Sequence, residues 1–371
     1  MAVGTRPEVI KLAPVAWELE ARRLPYFLLS TGQHREMLDQ MLEVFGLHPD
    51  EDLGLMRPDQ SLAGLSAAMI AAADPLLARV EPSAVVVQGD TTTVAMVALA
   101  AFYRKIPVAH VEAGLRTGHR YDPFPEEMNR ALLGRLASWH FAPTPQAAEN
   151  LRAEGVPADS VFTVGNTVVD ALLAMRAKVA ELPYGSFDLP EPEGRKLVLV
   201  TAHRRENFGQ GLARLCQGLR RLAERQGERA LLLYPVHLNP NVRATVEREL
   251  AGLPNLRLLP PLGYPAFVKA MSRASLIITD SGGVQEEATA LGIPTLVSRE
   301  TSERPEALAA GVAELVGTDP ERIATQASRL LEDPELHASR SRAATVFGDG
   351  LASRRIVETL VERLRLPASS G

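Results

Sequence analysis

At 371 residues and 40.2 kDa the chain has room for about two domains, and its 46% apolar and 23% charged side chains exclude a disordered or fibrous protein. A net charge of −5 with a pI near 6.0 argues against a general nucleic-acid footprint, and the single cysteine, Cys216, excludes an internal disulfide framework and a cysteine-based zinc site. Apolar stretches such as Val94 to Tyr103 fall short of the ~18–20 residues of a membrane span, and no charged head followed by an apolar core opens the chain, so the expectation is a soluble, cytosolic protein.

Two patterns alternate along the chain. Short β-branched or apolar runs at Phe27–Ser30, Ala84–Gln88, Val108–Val111, Trp139–Ala142 and Val161–Val164 read as strands, and a second series follows at Leu197–Thr201, Leu231–Pro235, Leu256–Leu259, Leu276–Thr279 and Pro294–Val297. Segments rich in Ala, Leu, Glu and Arg lie between most of them, with apolar residues at helical three-and-four spacing. This alternation predicts an α/β fold with parallel sheets covered on both faces. Pro183, Gly185, Pro190, Pro192 and Gly194 make Leu182 to Gly194 the most loop-like stretch. The junction between two domains is expected between Gly165 and Gly194, each half holding a five- or six-stranded doubly wound sheet.

The unusual residues collect where strands end, which is where open α/β sheets bind ligands. Thr279-Asp280-Ser281-Gly282-Gly283 is a strand-to-helix turn whose glycines and helix start suit a phosphate, and equally a tight turn capped by Asp280 or Ser281. It is neither a Walker loop nor a dinucleotide fingerprint; the nearest approach to the latter, Gly209-Gln210-Gly211-Leu212-Ala213-Arg214, lacks the third glycine, leaving a nicotinamide cofactor no visible seat. Asp90 precedes three threonines and could act chemically or simply cap a helix. Glu112 ends a buried strand, where a carboxylate needs a partner or a task. Glu126 and Glu127 follow a Pro-Phe-Pro loop, and three carboxylate positions at strand ends could share acid and base work. His110-Val111-Glu112 begins like a zinc deaminase signature, but the companion Pro-Cys-x-x-Cys is absent and no His-Glu-x-x-His occurs. The cations of His203-Arg204-Arg205 and of Arg6 with Lys11 suit a phosphate-bearing ligand; solvated surface charge is the simpler alternative.

Taken together, these strings resemble the non-hydrolysing UDP-N-acetylglucosamine 2-epimerase family. The resemblance rests on Gly4 to Glu8, Gln33 to Gln40, Gly89 to Thr93, His110 to Gly118, Pro125 to Arg130, Gly165 to Thr167, His203 to Asn207, Tyr234 to Pro240, Asp280 to Glu287 and Glu303 to Glu306, in family order along nearly the whole chain. It implies two Rossmann-like domains facing across a cleft in a GT-B-like arrangement, 1–168 and 169–350, with a C-terminal helix over 351–366 returning to the first domain. The implied reaction inverts C2 of UDP-GlcNAc to give UDP-ManNAc without an added redox cofactor or metal, with no nucleic-acid or membrane partner and a homodimer as the common assembly. A hydrolysing epimerase or a glycosyltransferase using a UDP-sugar stands as the alternative.

By that resemblance Asp90, Glu112 and Glu126 form the acid/base group and His203 acts at the departing diphosphate. Arg6, Lys11, Arg130 and Ser281 hold phosphate with the Gly282-Gly283 helix start behind them, Glu287 meets the ribose and Phe267 packs near the uracil. Gln33, His34 and His237 match positions around a second, activating UDP-GlcNAc site of bacterial relatives, whereas Asp59 stands where a basic residue is expected. Met1-Ala2-Val3 is shorter than the first strand usual in the family, and Thr345-Val346-Phe347 departs from its usual turn.

Overall fold

The structure, a computed structural model of the chain, describes residues 1–32, 35–57, 60–202, 209–236, 239–302 and 304–366, with the backbone alone at 35–37. It divides into two compact units, Met1–Ala171 with Gly348–Gly371 and Leu172–Phe347.

In the first unit the chain runs β1 (Ala2–Val3), α1 (Arg6–Ala21), β2 (Leu29–Ser30), α2 (Arg35–Phe45), β3 (Glu51–Asp52), α3 (Leu62–Val80), β4 (Val85–Gln88), α4 (Thr92–Tyr103), β5 (Val108–Val111), α5 (Glu126–Leu136), β6 (Trp139–Ala142), α6 (Pro145–Ala153) and β7 (Val161–Thr163). Instead of the expected single sheet of five or six strands, there are two parallel ladders, β1-β2-β3 and β4-β5-β6-β7. Strands β1 and β4 pack beside each other without ladder pairing. Taken across both ladders the order reverses at β1 and β4, which makes their carboxyl ends the switch point of this unit. Helices α3 and α4 cover one face and bury Leu65, Met69, Ala73, Leu76 and Leu77 with Val94, Val97, Ala98 and Ala101. Helix α3 corrects one expectation: its 19 residues are long and apolar enough, by length and composition, to cross a membrane. Asp74, Pro75 and Arg79 interrupt that run, and its buried stripe belongs to the core of this unit.

Helix α7 (Thr167–Val179) carries the unit boundary within it, and a single helical turn, Tyr184–Phe187, lies inside the stretch expected to be loop. Buried Lys269 donates to the carbonyls of Val179 and Ala180 at 3.1 and 2.8 Å, satisfying backbone acceptors where α7 ends.

The second unit continues with β8 (Lys196–Thr201), α8 (Gln210–Gln226), β9 (Ala230–Pro235), α9 (Pro240–Leu250), β10 (Leu256–Leu259), α10 (Tyr264–Arg273), β11 (Leu276–Thr279), α11 (Gly282–Leu291), β12 (Thr295–Val297), α12 (Pro305–Ala309), β13 (Ala313–Leu315), α13 (Pro320–Glu332) and α14 (Pro334–Arg340). Its six strands are all parallel in the order β10-β9-β8-β11-β12-β13. That is the doubly wound 3-2-1-4-5-6 order, and its switch point lies between β8 and β11. Leu212, Leu215, Leu219 and Leu222 on α8 repeat at helical spacing and pack with Ile323, Ala327 and Leu330 of α13 over the sheet. The last helix, α15 (Ala352–Leu364), packs on α1 in the first unit. Asp170 anchors its start, accepting from the Ser353 hydroxyl at 2.6 Å and its amide at 2.8 Å.

Candidate functional site

Three consecutive strand ends build the site of the first unit. β1 delivers Gly4, Thr5 and the start of α1; β4 delivers Gly89, Asp90 and Thr91; β5 delivers Glu112. Glu112 sits at φ 63°, in the left-handed region that costs a non-glycine residue on the order of 1 kcal/mol or more and recurs at functional sites. Its buried carboxylate is held from several sides. Lys11 Nζ lies 2.6 Å from both oxygens, Asn166 Nδ2 donates to Oε1 at 3.0 Å, and Gln88 Nε2 donates to Oε2. All of these groups donate, so the ionised carboxylate is the form this cage accepts.

Asp90 meets a second cation. Arg130 reaches its Oδ2 with Nη2 at 2.7 Å and Nε at 2.8 Å, and turns Nη1 to Glu127 at 3.2 Å. Asn129 Nδ2 donates to the Asp90 carbonyl at 2.8 Å, tying the β4 turn to α5. Glu127 also accepts from the amides of Thr117 and Gly118, so it is the structural member of the Glu126-Glu127 pair. Glu126 is half-buried at the first position of α5 and forms no hydrogen bond or ion pair with another described residue. The peptide bonds entering Pro123 and Pro125 are both cis in the loop before it.

The resemblance assigns Lys11 and Arg130 to phosphate; in this structure Lys11 is paired with Glu112 and Arg130 with Asp90, two of the candidate acid/base carboxylates. Arg6 is half-buried at the first position of α1. His110, one residue before the strand end, is a core residue whose Nε2 bonds the Gly89 carbonyl at 2.7 Å. Burial pushes it down to about 4, so it is neutral. No group of three His, Cys, Asp or Glu side chains suited to a metal ion occurs among the described residues.

The second unit gathers its candidates at its own switch point. The hydroxyls of Thr201 and Thr279, the last residues of β8 and β11, share a 2.6 Å hydrogen bond, and Thr279 Oγ1 accepts from the Ser281 amide at 3.0 Å. Ser281 is the N-cap of α11 by position, yet its hydroxyl makes no capping bond. Gly282 and Gly283 form the first turn, and a Cβ built at Gly283 meets nothing within 4 Å. Buried Glu287 lies one turn on and accepts from the Tyr264 hydroxyl at 3.1 Å, which joins α11 to the start of α10; half-buried Phe267 is one turn along α10. A glycine-lined helix start, followed by a buried carboxylate and an aromatic ring, can seat a phosphate and a ribose.

The second unit also holds residues that reading the strand ends passed over. Arg304 pairs with buried Glu286, and the Ser302 hydroxyl donates to Gln285 Oε1 at 2.8 Å, fixing the segment after β12 to α11. Its sequence signal was the Glu303 to Glu306 string. In the first unit Gln88 and Asn166 went unremarked as holders of Glu112, because their partners are 24 and 54 residues away. His203, Gln33, His34, His237 and Asp59 lie outside the described residues.

Comparison with known proteins finds likeness over nearly the whole length of the chain. The family described as UDP-N-acetylglucosamine 2-epimerase matches residues 18–361. The UDP-N-acetylglucosamine 2-epimerase of Salmonella typhimurium is 47% identical over 365 residues, covering 96% of both chains. Among solved structures, the UDP-GlcNAc 2-epimerase from Neisseria meningitidis bound to UDP-GlcNAc superposes with a TM-score of 0.90 at 43% identity, over 97% of this chain and 98% of that one. The Methanocaldococcus jannaschii enzyme in complex with UDP-GlcNAc and UDP gives 0.82 at 32% identity, over 97% and 98%. With the family match over residues 18–361 and a relative 47% identical over 96% of the chain, the chain belongs to the UDP-N-acetylglucosamine 2-epimerase family.

Proposed function

We propose that the protein interconverts UDP-GlcNAc and UDP-ManNAc by inverting C2, with the first unit supplying acid/base groups and the second seating the nucleotide. The observation that carries this reading is Glu112, a carboxylate on strained backbone at a strand end, gripped by Lys11, Gln88 and Asn166. A carboxylate held this tightly is oriented for one proton transfer.

The chemistry explains the need. The C2 proton is not adjacent to a carbonyl and is weakly acidic in the ground state. When the C1–O bond to UDP breaks, the developing oxocarbenium acidifies it; loss of the proton to a carboxylate leaves 2-acetamidoglucal and UDP. Return of a proton to the opposite face of C2, with UDP oxygen re-forming the bond to C1, gives the epimer with atoms and charge balanced. Asp90, Glu112 and Glu126 are the acid/base group in this scheme and His203 assists the departing diphosphate. Ser281, Gly282, Gly283 and Arg6 hold phosphate, Glu287 the ribose and Phe267 the uracil face. The product serves a glycosyl transfer that builds surface polysaccharide.

The test is proton NMR of UDP-GlcNAc with the purified protein in D2O. UDP-ManNAc carrying deuterium at C2, with no free sugar, supports the proposal. Free ManNAc with stoichiometric UDP would assign the hydrolysing reaction instead, and unchanged nucleotide sugar would reject both.

We further propose a homodimer formed through α3. Gly64, Ala67, Ala71, Pro75 and Ala78 form an exposed apolar stripe along that helix, and exposed Phe102 and Tyr103 end the neighbouring α4. Light scattering after size exclusion should give twice the chain mass, and A71R should reduce it to one; a wild-type monomer would remove this assembly.

A further inference from the structure

Glu8 is the most buried carboxylate of the first switch point, and the resemblance assigns it no task. One oxygen accepts from the amides of Gly4 and Thr5 at 2.6 and 3.1 Å, closing a capping box on α1. That much is an ordinary helix start. The other oxygen accepts at 2.8 Å from the hydroxyl of Thr91, 83 residues further on. Thr91 is the N-cap of α4, and its hydroxyl accepts in turn from the Val94 amide at 3.3 Å. One carboxylate thus closes the entrances of two helices. Packing across the same gap is close: a Cβ at Gly4 would stand 3.3 Å from Thr93 of α4.

This link spans the place where the sheet has no ladder, between β1 and β4. The turn on one side carries Arg6 and leads to Lys11; the turn on the other carries Asp90. Backbone pairing fixes the register of neighbouring strands elsewhere in the fold, whereas here side chains must do so. We propose that Glu8 is a positioning residue, bracing the turn that bears Asp90 against the helix that bears Arg6 and Lys11 across the unpaired switch point. The proposal deepens the epimerase reading and rests on it for its kinetic consequence only. Burial raises Glu8 to about 7, against the amides and hydroxyls that favour its charged form, so a carboxylate is retained here at a desolvation cost.

The test uses the full chain with E8A, E8Q and T91V, read by NMR-detected amide exchange and by turnover of UDP-GlcNAc. In E8A the amides of Gly4, Thr5 and Val94 should all exchange at least tenfold faster. Its kcat should fall tenfold or more with KM changed less than threefold, since the displaced group is a reacting one. E8Q should recover kcat to within threefold, because its oxygen can accept the two amides while its NH2 donates to Thr91. A purely structural residue would lower the melting temperature of E8A without this split between kcat and KM or the rescue by Gln. Wild-type protection of Val94 in E8A, or a folded E8A with kcat within threefold of wild type, would overturn the brace. If E8A does not fold, T91V decides: it should open Gly4 and Thr5 and lower kcat at least threefold, and an unaltered T91V overturns the proposal. Coupled exchange in a wild-type protein that turns over no UDP-GlcNAc would support the brace and count against the epimerase reading alone.

Discussion

Lys11 Nζ lies 2.6 Å from both carboxylate oxygens of Glu112, 101 residues away in the chain. The pair is largely buried, with side-chain exposures of 14% and 6%, so its attraction is little screened and its loss strands a charge. Lys11→Met should therefore cost on the order of 3 kcal/mol of stability. It should lower kcat at least ~100-fold, the size of an acid/base contribution, while the Kd for UDP stays within threefold. Calorimetry with UDP and the D2O turnover assay check this. A tenfold weaker Kd with preserved kcat would return Lys11 to the phosphate-holding role.

Asp90 and Arg130 give a parallel test with a different signature. Asp90→Asn keeps the shape but removes the charge that Arg130 meets at 2.7 Å. Turnover should drop ~10²-fold or more with UDP affinity retained. Glu126→Gln, altering a side chain with no described partner, should lower kcat comparably without moving the melting temperature by more than about 1 °C. A Glu126→Gln enzyme with wild-type turnover would remove that residue from the acid/base group.

The nucleotide seat is tested at Gly283. A methyl there enters open space in the protein and replaces a glycine in a helix, which is stabilising by up to about 1 kcal/mol. If a phosphate lies over this helix start, the same methyl occupies its place. Gly283→Ala should weaken UDP binding tenfold or more with an unchanged or raised melting temperature, whereas Ser281→Ala should weaken it without the stability gain. Unchanged affinity in both would move the phosphate elsewhere.

How much of this was legible in the sequence follows from where the information sits. The strands at Val108–Val111, Trp139–Ala142, Leu256–Leu259 and Leu276–Thr279 are short runs dominated by apolar residues, and each was found to the residue. β3 is Glu51–Asp52 and β13 is Ala313–Leu315, two or three residues long with no apolar period, so only tertiary pairing reveals them. The gap between β1 and β4 is likewise a property of register. Single residues at the site, such as Asp90 and Glu112, stood out because a carboxylate at the end of a buried strand needs an explanation. The holders of Glu112 did not, because Gln88 and Asn166 are unremarkable until folding brings them to its carboxylate.

Opposite burial effects should give stability an optimum in pH. Burial raises Glu8 from 4.5 to about 7, so its contribution is full below about 4.5 and is lost as pH rises through 7. His110 and His140, paired across β5 and β6, are both lowered by burial to about 4. Their contribution is full above about 6.5 and is lost as pH falls through 4. At 1.36 kcal/mol per unit, each group moves stability by at most about 3 kcal/mol. Chemical denaturation from pH 4 to 9 should therefore show wild type losing ground to Glu8→Gln between pH 5 and 8. His140→Phe should flatten the loss between pH 6.5 and 4, because it removes one of two buried imidazoles that must charge on acidification. A Glu8→Gln profile parallel to wild type on the alkaline side would mean that the hydrogen bonds donated by Gly4, Thr5 and Thr91 outweigh desolvation, and that Glu8 is ionised throughout.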